Sequence, residues 1–350
     1  MTRIAFTTLL LTLALGCGDD DGIDPTDGGA TPDASTADAG PETTLAWHPV
    51  AEPAEGPLMV WGALVVDVGP TSAVLFGGTT ATNIGGTTLD AAYRYDWEGD
   101  TLVASALGST GPAARYCGCA AYDEARNVVI VAGGRDLSGP FLAAPETWEL
   151  DLATEAWTQW SGTTPASTLG CMMTQGSDGE LYWFGGVADS GASDVLYRAE
   201  DEGWVEVAVT GDRPAPRYDG VLWADGDDLV LFAGSRSALG AGFYADVWRF
   251  SGGAWTQEHD GGDVEGRRVP WFRATDDGFV FQGGYDLNMN PMAGLYRYVS
   301  GEGFSAIELA DPLLPRGFAA SFPAPSGIGV MFSGYDGDGP LREVLWLDER

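Results

Sequence analysis

Lysine is absent from this 350-residue chain: all 17 basic side chains are arginine, against 51 aspartates and glutamates, for a net charge of −34. A surface of that sign repels phosphate backbones and anionic headgroups, so nucleic acid is not expected as a partner. Histidine is scarce, with only His48 and His259, each beside or shortly after a tryptophan (Trp47, Trp255). Two imidazoles on the outer part of a repeating unit cannot build a His-rich zinc or copper centre or a Ser–His–Asp arrangement. No metal or cofactor is expected. Carboxylates are so abundant that no single pair signals acid–base chemistry, and catalysis is not the leading expectation. Long apolar helical patterns are missing as well, whereas glycine is plentiful at 51 residues. That balance points to many short strands joined by tight turns.

The N-terminus reads as an address. In "MTRIAFTTLLLTLALGC", Arg3 precedes a short apolar core from Ile4 to Leu15, right for a signal peptide over residues 1–16 and too short to span a bilayer. Ala14-Leu15-Gly16-Cys17 resembles the lipobox of bacterial lipoproteins, although leucine is the preferred residue where Ala14 stands. That resemblance implies lipidation of Cys17 and membrane anchoring through several acyl chains. Gly18 in place of the aspartate that retains enteric lipoproteins at the inner membrane implies the outer membrane, on its periplasmic or surface side. Residues 17–43 are rich in Asp, Gly, Pro, Ala and Thr, and read as a disordered acidic tether.

Residues 44–350 carry a period. Hydrophobic runs end in a small pair at Gly77, Gly133, Gly185, Ala233, Gly283 and Ser333, spaced by 56, 52, 48, 50 and 50 residues. After each run comes an aromatic: Tyr93, Trp148, Tyr197, Trp248, Tyr296 and Trp346. A third large apolar residue follows in the first five units, as Leu102, Trp157, Trp204, Trp255 and Phe304. The sixth unit runs out of chain, and its missing phrase is "TLAWHPV" at 44–50. Six four-stranded units arranged radially protect faces and edges that one sheet would expose.

These motifs resemble the kelch repeat, whose units run to about 50 residues. The resemblance implies an all-β, six-bladed β-propeller, its last blade closed by the N-terminal strand 44–50. The departures are Ala233-Gly234 and Ser333-Gly334 in place of Gly-Gly, and Leu102 and Phe304 in place of tryptophan.

In such a propeller the loops between second and third strands, at 79–91, 135–146, 187–194, 235–245, 285–294 and 335–342, share one face with the blade-to-blade connections. Rigidly mounted loops are where binding sites concentrate. Four connections end in arginine, at Arg115, Arg217, Arg268 and Arg316, and these would converge at the channel mouth to hold a carboxylate or acidic sugar. The competing reading gives them structural work within each repeat. Tyr285, Asp286, Tyr335 and Asp336 are further rim candidates that could simply begin turns. In an exported protein Cys171 can form a disulfide with Cys117 or Cys119. The leading expectation is a monomeric, lipid-anchored binding module presenting this face to a protein or glycan. The alternative is a sugar-modifying enzyme, because some periplasmic six-bladed kelch proteins are sialic-acid mutarotases.

Overall fold

The computed structural model describes residues 45–82, 85–108, 110–139, 145–166, 168–237, 242–309 and 311–349. The signal peptide, Cys17 and the tether lie outside the described residues. Within them the secondary structure is all β. After β1 (Leu45–Pro49), blade one is β2 (Leu64–Gly69), β3 (Ser72–Phe76), β4 (Ala92–Glu98) and β5 (Thr101–Leu107). Blade two is β6 (Tyr116–Asp123), β7 (Val128–Arg135), β8 (Thr147–Asp151) and β9 (Ala156–Gln159). Blade three contains β10 (Met172–Gln175) and β11 (Leu181–Phe184), then a short hairpin of β12 (Val187–Ala188) and β13 (Gly191–Ala192), then β14 (Leu196–Glu200) and β15 (Gly203–Glu206). Blade four is β16 (Val221–Asp225), β17 (Asp228–Phe232), β18 (Val247–Ser251) and β19 (Ala254–His259). Blade five is β20 (Trp271–Thr275), β21 (Gly278–Gln282), β22 (Leu295–Val299) and β23 (Gly303–Ile307). Blade six is β24 (Ala320–Phe322), β25 (Gly329–Phe332) and β26 (Val344–Glu349), completed by β1 in the order β24-β25-β26-β1.

The phrase missing from the sixth unit is therefore supplied by the start of the propeller. Trp47 pairs with Leu347, and His48 with Trp346. Because successive side chains point to opposite faces, Trp47 packs on Trp271 of blade five, with ring centroids 5.0 Å apart. Trp346 packs on Trp97 of blade one at 5.5 Å. The indole N–H of Trp47 donates to Gln282 Oε1 at 2.7 Å in a buried setting. Equivalent fourth-strand aromatics reach back to the preceding blade: Trp157 meets Phe76, Trp255 meets Phe184, and Phe304 meets Phe232. The wedge between blades widens outward, and large rings fill it.

Second strands are buried along all or nearly all of their length, fully so in "SAVLF" of β3 and "GVMF" of β25, because neighbouring blades cover both faces. Each ends in the small pair. At Gly77, Gly133, Gly185 and Gly283, φ lies between 64° and 69°, and a Cβ would fall 2.1–2.3 Å from a carbonyl oxygen of the next blade's approach segment. Ala233 (φ 61°) and Ser333 (φ 57°) adopt the same left-handed conformation, at a cost of about 1–3 kcal/mol each. The departures at these two pairs leave the architecture intact. The Gly234 N–H still donates to Arg267 O at 2.8 Å, and the Ser333 hydroxyl donates to Leu341 O while accepting from Val60 N.

Candidate binding site at the channel mouth

Each first strand is entered through a three-residue approach that repeats around the axis, in blade two overlapping the start of β6. Its first member is Arg115, Thr168, Arg217, Arg267 or Arg316 in blades two to six, and its carbonyl accepts the N–H of the second residue of the preceding blade's small pair at 2.7–3.0 Å. The arginine of blade five at this position is Arg267. The expectation that Arg268 belongs with Arg115, Arg217 and Arg316 is corrected by one residue, because it is Arg267 O that Gly234 N reaches.

These arginines are tied inside their own surroundings. Arg217 Nη1 and Nη2 hold Asp246 at 2.6 and 3.0 Å, Nε donates to Ala215 O, and Nη1 also reaches Ala233 O. Arg115 repeats the pattern with Ala113 O, Gly133 O and Glu146, and Arg316 repeats it with Leu314 O, Ser333 O and Glu343. Arg267 makes the same bonds to Glu265 O and Gly283 O. All four are buried. Arg115, Arg217 and Arg316 do not line the channel mouth, so the four sequence-predicted arginines are not brought together; Arg268 alone lines it.

The second member of each approach faces the axis and bridges to the first residue of a loop. The pairs are Trp61 with Thr79, Tyr116 with Arg135, Leu169 with Val187, Tyr218 with Ser235, Arg268 with Tyr285, and Gly317 with Tyr335. Beneath them the third members form a waist: Gly62, Cys117, Gly170, Asp219, Val269 and Phe318, all with φ between 49° and 63°. Successive N–H groups donate to the previous blade's carbonyl, from Cys117 to Gly62 and onward to Phe318 on Val269, at 2.7–3.1 Å. Left-handed backbone is costly for valine and phenylalanine, and such strain gathers at functional sites.

Above the waist lies a cavity of about 590 Å3. One wall is aromatic. Trp61 stands 5.2 Å from Tyr116, 5.0 Å from Phe318 and 5.1 Å from Tyr335, and Tyr285 lies 5.7 Å from Phe318, centroid to centroid. Three guanidiniums, Arg135, Arg236 and Arg268, and one carboxylate, Asp219, are among the other lining side chains. In a protein of net charge −34, this lining is locally cationic. Arg135 lies over Tyr116 with Cζ 5.6 Å from the ring centroid. Arg268 Nη1 meets Tyr218 OH and Asp219 Oδ2, both at 3.3 Å, and Nη2 meets Met289 Sδ at 2.8 Å. Burial pushes the Asp219 pKa above the ordinary carboxylate value, and the Arg268 charge only partly offsets this.

Tyr285 and Tyr335 both line the cavity. Burial raises the Tyr285 phenol well above its ordinary range. Asp286 and Asp336 instead cap their own loops: Asp286 accepts from Asn288 N and Asn290 N, and Asp336 from Asp338 N and Gly339 N. Cys171 is bonded to Cys119, which joins the inner strand of blade two to the segment entering blade three. Cys117 keeps its thiol, its pKa raised by burial and by the nearby Asp219 charge, so it is protonated and a poor nucleophile at neutral pH. Trp61, Tyr116, Arg135, Tyr218, Asp219 and Arg236 were not singled out in the sequence. The signal that could have found all but Trp61 is positional: Tyr116, Arg135, Tyr218, Asp219 and Arg236 lie one to three residues beyond a repeat landmark.

A family model, the KLHDC2/KLHL20/DRC7 Kelch-repeats domain, matches residues 62–284, more than half of the chain. No curated protein matches. Among solved structures, the chain is similar to one described as "Structure of YjhT", with a TM-score of 0.65 and 13% identity over 85% of this chain and 99% of that one. At that identity the likeness speaks to the fold.

Proposed function

This chain belongs to the kelch-repeat family, and on that premise we propose that it is an exported, lipid-anchored binding module whose loop face takes an acid-bearing group of a protein or glycan into the axial cavity. The observation that carries the reading is the meeting of an aromatic wall with three guanidiniums in an otherwise strongly acidic protein. Concave sites with a mostly apolar lining and a few placed polar groups are the usual form of a binding pocket. Export is supported by the lipobox-like segment ending at Cys17 and by the Cys119–Cys171 disulfide, which suits an oxidising compartment. The outer membrane follows from Gly18, and the lipid at Cys17 is the membrane contact. The direction of β1 is compatible with display of the cavity. Its last residues lie beside the Val344 end of β26, next to the loop face, while Leu45 pairs with Glu349 at the opposite end. Within the propeller, β1 therefore starts at the end remote from the loop face and finishes beside it.

The test is a glycan array and pull-down screen with the full chain, repeated with Arg236→Ala. Ligands that the variant retains at undiminished affinity would place binding elsewhere. Substituting Cys17 with serine should move the protein from membrane to soluble fractions. Retention in the membrane would remove the lipid anchor from the reading.

A second reading, a sugar-modifying enzyme similar to the mutarotases, is favoured by one observation: Asp219, with its raised pKa, sits on Arg268 at the cavity floor. A carboxyl tuned upward is suited to passing a proton. Accelerated anomer exchange of a sugar acid, lost in Asp219→Asn, would favour this reading over simple binding.

A further inference from the structure

We propose that the group entering the axial cavity is a carboxylate carried on an apolar ring, an aryl or alicyclic acid, and not a sugar acid. This rests on the binding reading above and narrows it.

The argument comes from where the polar tips of the lining residues point. Trp61 Nε1 donates to Ala81 O at 2.9 Å, Tyr285 OH to Tyr335 O at 2.8 Å, and Tyr335 OH to Gly337 O at 3.0 Å. The Tyr218 hydroxyl is engaged by Arg268 Nη1. Trp61, Tyr285 and Tyr335 thus spend their donors on the protein, the Tyr218 oxygen accepts from Arg268, and all four offer ring surface to the cavity. Leu169, Val187, Met289 and Phe318 extend that surface with no hydroxyl or amide of their own. A sugar acid would bring several hydroxyls into this space. Each one buried without a partner costs about 1–3 kcal/mol, and hydroxyl-selective sites work by supplying those partners. An apolar ring loses nothing on entering and gains burial.

Apolar character continues at the rim. The loops that contribute Arg135 and Met289 also expose Leu137 and Leu287, 37% and 42% accessible. Charge recognition is nonetheless built in. Arg268, only 8% exposed, has an Nε with no partner among the described residues. Arg236 is exposed and makes no ion pair among the described residues. Since Asp219 already pairs with Arg268, Arg236 is the guanidinium best placed to take a ligand carboxylate as its main partner.

Isothermal titration of the full chain with 2-naphthoate, the uncharged 2-naphthamide and glucuronate tests this. The expected result is 2-naphthoate bound at least about tenfold more tightly than either other probe. In Arg236→Ala its affinity should fall about 10- to 100-fold, the span of one charge-assisted hydrogen bond, while 2-naphthamide changes little. Glucuronate binding as tightly as 2-naphthoate, and weakened by Arg236→Ala, would overturn the apolar-ring inference while leaving the cavity as the binding site. Indifference of every probe to both Arg236→Ala and Val187→Asp, or no binding at all, would overturn the two readings together.

Discussion

Arg267 and Arg268 are neighbours in the chain and belong to different parts of the machine. Arg267 is buried with its guanidinium on the carbonyls of Glu265 and Gly283, while its own carbonyl accepts the Gly234 N–H and so ties blade four to blade five. One residue later, Arg268 turns to the axis and shares its charge with Asp219 at the floor of a cavity. The same contrast divides the propeller. A scaffold zone of keystone arginines, small pairs and fourth-strand aromatics answers to packing. A cavity zone on the same approach segments answers to what it can hold. Chemistry alone does not separate the two sets, since both use arginine and tyrosine. Position relative to the left-handed waist does.

The comparison can be broken most severely at the closure of blade six. Deleting residues 44–50 removes buried Trp47 together with partly buried Leu45 and Val50; at roughly 1.5–3 kcal/mol per fully buried side chain, the loss has an upper bound of roughly 5–9 kcal/mol. That is of the order of a domain's whole stability, ~5–15 kcal/mol. The deletion should aggregate and melt far below the parent, and an unchanged melting temperature with a monomeric elution profile would contradict the scaffold role of β1. Next comes Arg217→Ala, which strands Asp246 and two carbonyls. About 3–5 kcal/mol of stability should be lost in denaturant titration, whereas Arg236→Ala should stay within about 0.5 kcal/mol. Equal losses would erase the division between zones.

Removing the Cys119–Cys171 link by paired serine substitution should cost about 2–4 kcal/mol. Peptide mapping without reduction should find that pair linked, and alkylation at neutral pH should reach Cys117 slowly until the protein unfolds; rapid labelling of Cys117 in the native state would contradict its raised thiol pKa. The smallest effect concerns pH. Burial holds the Asp219 pKa above its ordinary value of 3.8, so the folded state binds that proton more tightly than the unfolded chain. Its contribution to stability therefore falls as pH rises from 3.8 through the folded value. Asp219→Asn should lack that slope, and parallel stability–pH curves for the two proteins would show that Asp219 does not titrate abnormally.

Much of the architecture was legible because it repeats. Six small pairs at near-constant spacing and one aromatic phrase displaced to the N-terminus were enough to count blades and to join the two ends of the ring. The cavity was legible only in part. Tyr285 and Tyr335 stand directly after small pairs and announced themselves, but their neighbours Asp286 and Asp336 serve their own turns. Arg268 was noticed for the wrong reason, as the presumed equivalent of keystones that it adjoins. Tyr116, Tyr218 and Asp219 had no local mark, since they stand one or two steps past a keystone and only the direction of the side chain sets them apart from it.

The sequence by itself determined the number of blades, the pairing of its two ends and the acidic character of the chain, because these depend on counts and periods. Only the tertiary structure decided which arginines meet, which aromatic tips are spent on the protein and which cysteine is left over. Those outcomes depend on side chains from six separate units converging on one axis, where consecutive residues of each approach segment turn to the blade, the channel and the left-handed waist.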